Sequence, residues 1–368
     1  MAESFRIRTC RGSELPDVLN SLAEAIRTAA ADGRRVRIRG GGTKDFYGQA
    51  LDGEVLDTRA CSGIVAYEPT ELVVTVRGGT PLAELEAALR GEGQMLAFEP
   101  PHFGAGATIG GAIAAGLSGP RRAAAGALRD FVLGARILDG RGQDLSFGGQ
   151  VMKNVAGYDV SRLIAGALGT LGVIVEVSLK VLPIPVAEAS LKFEMPEDRA
   201  LETVNRWAGK PLPISAIAYA DGDLGIRLSG AAAAVGAALG KLGGERVDPE
   251  RAGAFWNGIR EQTDPFFAGN EPLWRLSVPS TTPPLALEGR TLVEWGGSLR
   301  WLKSNAEPRK IRDAVGRVGG HATLFRGGDK AVGVFHPLAP AVATIHKRLK
   351  SEFDPRGVLN RGRMYAEF

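Results

Sequence analysis

The chain has 368 residues, 44% apolar and 23% charged, with 45 basic against 41 acidic side chains for a formal net charge of +4. That balance describes a globular protein too long for one small core, with neither the charge nor the basic–aromatic clusters of a nucleic-acid binder. Two cysteines, Cys10 and Cys61, exclude an iron–sulfur centre or a disulfide framework; no run of about 18 apolar residues spans a membrane, and no leader core follows Arg6, Arg8 and Arg11, so a reducing cytoplasm is the expected compartment.

Ser13 is placed to cap a helix running to Gly33, with Leu15, Val18, Leu19, Leu22 and Ile26 on one face. Residues 35–39 read as a strand that enters a first glycine segment, Arg39-Gly40-Gly41-Gly42-Thr43-Lys44. Two β-branched runs, 64–67 and 72–76, flank the turn Glu68-Pro69-Thr70-Glu71. Pro81 opens a helix over 82–89. Residues 94–98 read as a strand. After Pro100-Pro101 comes the second glycine segment, Gly104-Ala105-Gly106-Ala107-Thr108-Ile109-Gly110-Gly111, whose continuation over 109–117 is a helix of small residues. Residues 131–138 and 143–147 form a hairpin about Asp139-Gly140-Arg141-Gly142, and 173–182 is a long apolar strand.

Pro183-Ile184-Pro185 marks a boundary. Beyond it, strands at 191–195, 214–219, 225–229, 273–278, 291–294, 298–302 and 323–326 mix with helices near 197–208, 231–242, 250–262 and 307–318. This pattern predicts an α+β domain with an antiparallel sheet over 186–338, following a domain over 1–185. A final helix over 340–353 leads into a Gly/Arg-rich tail, so 339–368 is expected to return to the first domain.

The glycine segments expose main-chain N–H groups and let a ligand approach closely, the ingredients of an anion grip. Two such grips suggest a diphosphate held from two sides. The dinucleotide fingerprint fails by one position, because Ile109 stands where its last glycine belongs. The P-loop fails because Asp45 follows Lys44.

Taken in order, the motifs resemble the FAD-binding domain of the vanillyl-alcohol oxidase and p-cresol methylhydroxylase-type superfamily. They are the Arg39–Lys44 loop, Pro101 with Thr108-Ile109-Gly110-Gly111 and Ser118-Gly119, Lys153-Asn154-Val155-Ala156-Gly157-Tyr158-Asp159, Gly166 through Ile174, and the closing Asp354-Pro355-Arg356-Gly357-Val358-Leu359-Asn360. Pro101-His102-Phe103-Gly104, Ser118-Gly119-Pro120-Arg121-Arg122, Gly149-Gln150-Val151-Met152 and Phe335-His336-Pro337 are similar more narrowly to the FAD-binding subunits of bacterial glycolate oxidases.

The resemblance implies a two-subdomain FAD-binding domain followed by a smaller α+β domain. It implies noncovalent FAD, since no histidine lies in residues 39–48. Arg39, Gly40, Gly41, Gly42, Thr43, Lys44, Pro101, Gly106, Thr108, Ile109, Gly110, Gly111, Ser118, Gly119, Arg122, Gly169, Gly172 and Ile174 are the expected cofactor contacts. The helix N-terminus at Thr108–Gly111 is expected to turn its amides to phosphate or ribose. Arg122 reads equally as a flavin contact or an exposed basic turn. His102 is a candidate proton carrier, although a structural role is favoured, and Asp159 reads as a helix cap.

No metal is expected. The superfamily's larger hydroxyacid dehydrogenases carry a two-histidine motif, of which only Gly320-His321 and Gly327-Gly328-Asp329 have counterparts. The implied activity is oxidation of glycolate to glyoxylate, with a larger flavoprotein subunit and an iron–sulfur subunit as partners and at most peripheral membrane association. The alternatives are a stand-alone flavin oxidoreductase acting on another alcohol or 2-hydroxy acid, and an FAD-binding assembly subunit without catalysis of its own.

Overall fold

A computed structural model describes residues 15–149 and 159–368. The expected Ser13 cap and the segment 150–158, with its Lys153-Asn154 motif, lie outside the described residues. Helix Leu15–Asp32 turns Leu19, Leu22, Ile26 and Ala29 onto Val36, Leu56, Val173 and Val175. Val36–Arg39 pairs in parallel with Glu54–Asp57, from Val36 opposite Glu54 to Arg39 opposite Asp57. The strand at 54–57 was not anticipated: it is four residues long and only Leu56 is buried, so no period marks it.

A five-stranded antiparallel sheet follows, in the order Ile64–Glu68, Val73–Arg77, Val173–Lys180, Val132–Leu138, Asp144–Gly148. The predicted hairpin at Asp139–Gly142 is its outer pair. Helix Leu82–Gly91 buries Leu82, Leu85 and Leu89 in the core of this sheet, and helix Ile109–Ala115 buries Ile109, Ala112 and Ile113. The second helix sits very close to the sheet. A Cβ added at Gly110 would lie 2.8 Å from the Gly78 carbonyl oxygen. The strand expected over 94–98 is a correction: only Gln94–Met95 pairs, with Leu182–Pro183, while Leu96, Ala97 and Phe98 are buried without a partner strand.

Residues 187–326 build an eight-stranded antiparallel sheet. Its order is Glu245–Val247, Ala187–Glu194, Asp223–Gly230, Ile214–Ala220, Arg290–Glu294, Leu299–Lys303, Leu273–Ser277, His321–Arg326. The seven expected strands are present, and Glu245–Val247 is the addition. A buried ionic knot ties this sheet to the first half. Glu99 accepts from the Arg121 amide at 2.8 Å and from Arg227 Nη2 at 2.8 Å, and Arg121 also reaches Glu188 at 3.0 Å. An aromatic cluster spans the same seam, where Phe325 packs on Phe46, Tyr47 and Trp301.

Helix Pro340–Phe353 delivers the tail back to the first half. Lys350 and Asp354 are both buried and joined at 2.7 Å. Asp354 also accepts the Val358 and Leu359 amides, and Leu359 bridges Val36 in parallel.

Candidate functional site

A cavity of about 300 Å³ opens where the first glycine segment, the Ile109 helix, the 168–174 turn and the tail converge. Five cations line it: Arg37, Arg39, Lys44, Lys330 and Arg363. Its acid, Asp45, already binds Arg39 Nε at 2.7 Å. Lys330 and Arg363 brace the loop, Lys330 through the carbonyls of Phe46 and Gly48, Arg363 through those of Gln49 and Asp45.

Other donors have no acceptor. Arg37 Nε is buried without a partner, and the amides of Gly40, Gly41, Gly42, Thr43 and Lys44 find no acceptor among the described residues. Donors left open in this way, half-buried on the loop and buried at Arg37 Nε, suit an anion that completes them. Glycine is required at the loop's centre, because a Cβ on Gly41 would sit 1.4 Å from the Gly106 carbonyl oxygen. Lys44 donates to the His102 carbonyl at 3.2 Å and lies 5.6 Å above the Phe103 ring. Burial pushes its ammonium down to about 8, with Glu261 opposing.

Of the expected cofactor residues, Arg39, Gly40, Gly41, Gly42, Thr43, Lys44, Thr108, Gly110, Gly111, Gly169, Gly172 and Ile174 line this cavity. The rest do not. Gly106 stands behind Gly41, and Ile109 is fully buried in the core. Pro101, Ser118 and Gly119 line a second cavity of about 20 Å³ on the seam with the eight-stranded sheet. Arg122 lies over Trp295, 4.4 Å from the ring centre. His102 is held by Glu86 at its ring and by Glu261 at its amide.

One expectation is corrected outright. The amides that open the Ile109 helix are already bonded: Ile109 to Thr80 O at 2.9 Å, Gly110 to Gly78 O at 2.7 Å and Gly111 to Thr108 Oγ at 3.3 Å. The helix packs on the sheet through those amides, so they have nothing left to offer a phosphate. Asp159 caps its short helix by accepting the Arg162 amide.

Residues missed in the sequence complete the site. Ile38 donates its amide to Asn360 Oδ1 at 2.8 Å, and Asn360 Nδ2 donates to the Leu168 carbonyl at 2.6 Å. The tail asparagine thus staples the first strand to the 168–174 turn across the cavity wall. Arg37 carried a readable signal, since it lies two positions before Arg39 in a strand entering the loop; Lys330 and Arg363 carried none. Among the described residues, no three His, Cys, Asp or Glu side chains gather as a metal site, and no helix is long and apolar enough to cross a membrane.

Known proteins share both the sequence and the fold. An FAD binding domain family matches residues 15–148. Glycolate oxidase subunit GlcE of Escherichia coli (strain K12) is 50% identical over 351 residues, 95% of this chain and 98% of that protein. Glycolate oxidase subunit GlcD of Bacillus subtilis (strain 168) is 32% identical over 139 residues, and a D-lactate dehydrogenase of Archaeoglobus fulgidus is 33% identical over 186; the aligned regions span only 29% and 41% of those two proteins. Among solved structures, an alkyldihydroxyacetonephosphate synthase superposes with a TM-score of 0.66 at 15% identity, over 93% of this chain and 75% of that one, which shows a common fold.

Proposed function

We propose, for a chain that belongs to the family of glycolate oxidase subunit GlcE, that the five-cation cavity holds the diphosphate of noncovalent FAD. The chain is an FAD-binding oxidoreductase subunit acting on a hydroxy acid. The observation that carries the assignment is the set of unmatched donors, the Gly40–Lys44 amides with Arg37 Nε, in a wall whose one acid is already paired. That donor set fits a diphosphate and fits no neutral ligand. In this reading the loop and Arg37 take the phosphates, Lys44 offsets their charge, and Gly169, Gly172 and Ile174 bring bare backbone against a ring of the cofactor. Neither histidine nor cysteine lies in residues 39–48, which supports noncovalent attachment.

Residues 1–185 form the cofactor domain, 186–338 the domain that covers it, and 339–368 the strap. When bound, FAD would accept the hydride from the carbon bearing the acid's hydroxyl while the hydroxyl proton is released to solvent, so glycolate yields glyoxylate. The subunit works in a complex beside a GlcD-type flavoprotein. Electrons leave through an iron–sulfur subunit supplied separately, a division of labour with which a chain of only two cysteines is consistent. The complex sits in the cytoplasm, reaching the membrane's inner face through its partners.

The test is flavin binding by the purified chain and its Arg37→Met variant. Arg37 makes no hydrogen bond that its loss would break, so the FAD-free melting temperature should hold while FAD affinity falls by tenfold or more. A wild type that takes up no FAD, or a variant that binds it equally well, refutes the assignment.

A further inference from the structure

Lys330 reaches the cofactor cavity from the second half of the chain. It follows the strand His321–Arg326 at the edge of the eight-stranded sheet. Gly327 and Gly328, both at φ 69°, turn the chain there, and Asp329 accepts the Ala331 amide at 2.9 Å. The Gly327-Gly328-Asp329 segment, which lacks the second histidine of a metal motif, thus delivers a lysine.

Lys330 Nζ donates to the carbonyls of Phe46 and Gly48 at 2.7 Å each, and Gln49 Nε2 donates to the Lys330 carbonyl at 3.2 Å. The turn held in this way continues the first glycine segment. Its Asp45 amide bonds the Gly42 carbonyl at 3.1 Å, and its Tyr47 amide bonds the Lys44 carbonyl at 3.0 Å. Fixing Phe46 and Gly48 therefore fixes the run of open amides before them. A second contact of opposite charge works beside it. Glu261, at the end of the helix Pro249–Glu261, accepts the His102 amide at 3.0 Å and the Phe103 amide at 2.9 Å. The His102 carbonyl is in turn the acceptor for Lys44.

The acceptors of Lys330 are neutral carbonyls, and its neighbour Arg363 likewise bonds only carbonyls. Burial and the Arg363 charge push the Lys330 ammonium below the ordinary lysine value. An ammonium has three N–H groups, and two are spent. The uncompensated charge lies in the wall of the cavity, where an anion would complete it. We infer that Lys330 is a positioning residue for the cofactor: from the second domain it holds the glycine loop in the shape that accepts a diphosphate, so FAD binding and the docking of the two domains are coupled. The inference rests on the reading of this cavity as the FAD site and deepens it, because it gives the second domain a part in that site. Such coupling is reciprocal, so what docking adds to FAD affinity returns as protection of the second domain by FAD.

The test compares the purified chain with Lys330→Met, Lys330→Gln and Lys330→Arg. FAD affinity is read by flavin fluorescence, and hydrogen exchange is followed with and without saturating FAD. Loss of two charge-assisted hydrogen bonds should weaken FAD in Lys330→Met by about tenfold or more. Lys330→Gln, which keeps donors without the charge, should recover part of this, and Lys330→Arg more. In the wild type, FAD should slow exchange at the Gly333 amide, which bonds the Lys330 carbonyl at 3.0 Å. In Lys330→Met that effect should be largely lost while FAD still protects the Ile38 amide, a split that general loss of folding would not give. Equal FAD affinity in Lys330→Met, or undiminished protection of Gly333 in it, overturns the inference; should that variant not fold, equal affinity in Lys330→Gln overturns it. A wild type that takes up no FAD refutes the cofactor reading itself, whereas FAD uptake by the wild type and equally by the variants refutes only the role of Lys330.

Discussion

Replacing Asp354 with asparagine attacks the tail's anchor. The carboxylate accepts three donors: Lys350 Nζ at 2.7 Å, the Leu359 amide at 2.7 Å and the Val358 amide at 2.9 Å. An asparagine must turn its NH₂ toward one side. Facing Lys350 and Leu359 it meets two donors; facing Val358 it meets one, so the second orientation wins and leaves one buried amide unmatched, at about 1–3 kcal/mol. Lys350 loses its charge partner in either case, and breaking a buried pair costs about 3–5 kcal/mol. Because Lys350 keeps the Thr170 and Leu359 carbonyls, the low ends apply, about 4 kcal/mol in all. At about 2.1 cal/mol/K per residue over 368 residues, that is a melting-point drop of about 5 °C. Calorimetry measures the drop. Hydrogen exchange at the Ile38 amide, whose acceptor is Asn360, shows whether the tail lets go first. Unchanged melting with unchanged Ile38 protection would refute the reasoning, because the pair would then contribute nothing to holding the strap.

Two further predictions follow from charged groups. Lys44 titrates near 8 in the free protein, and a bound diphosphate favours its protonated form, so FAD affinity should fall as pH rises from 7 to 9, approaching tenfold per unit; fluorescence titration of Lys44→Met should show this slope flattened. At Glu99, burial opposes ionisation, but Arg227 and Arg121 outweigh it and hold the carboxyl below its usual range. Its stabilisation is therefore present above about pH 4.5 and lost as pH falls through the depressed folded value. Glu99→Gln should cost about 3–5 kcal/mol in urea unfolding at pH 7, with the deficit shrinking toward pH 3.

What sequence reading recovered here shared one property: the interaction was local or its chemistry was written in residue type. Gly41 is legible because only glycine clears Gly106, and the Asp139–Gly142 turn because a two-strand pattern flanks it. The Thr108–Gly111 expectation failed for the opposite reason. A helix start looks the same in sequence whether its amides meet a ligand or, as here, the carbonyls of Thr80 and Gly78 on a neighbouring strand end. Arg275, Gln262 and Glu294 are unremarkable one at a time. They come to line one small cavity only when the strands Leu273–Ser277 and Arg290–Glu294 and the end of the Pro249–Glu261 helix converge.

The Asn360 staple also bears on how the protein is made. Its partner Ile38 lies 322 positions earlier, and a ribosome adding about 5–20 residues per second needs on the order of half a minute to bridge that interval. Throughout that time the glycine loop has left the exit tunnel while the wall that completes it has not been synthesised. Cofactor loading is therefore an event of a chain made at least to Asn360, and a polypeptide that stops at Leu359 has every glycine of the grip without the staple that joins its strand to the 168–174 turn.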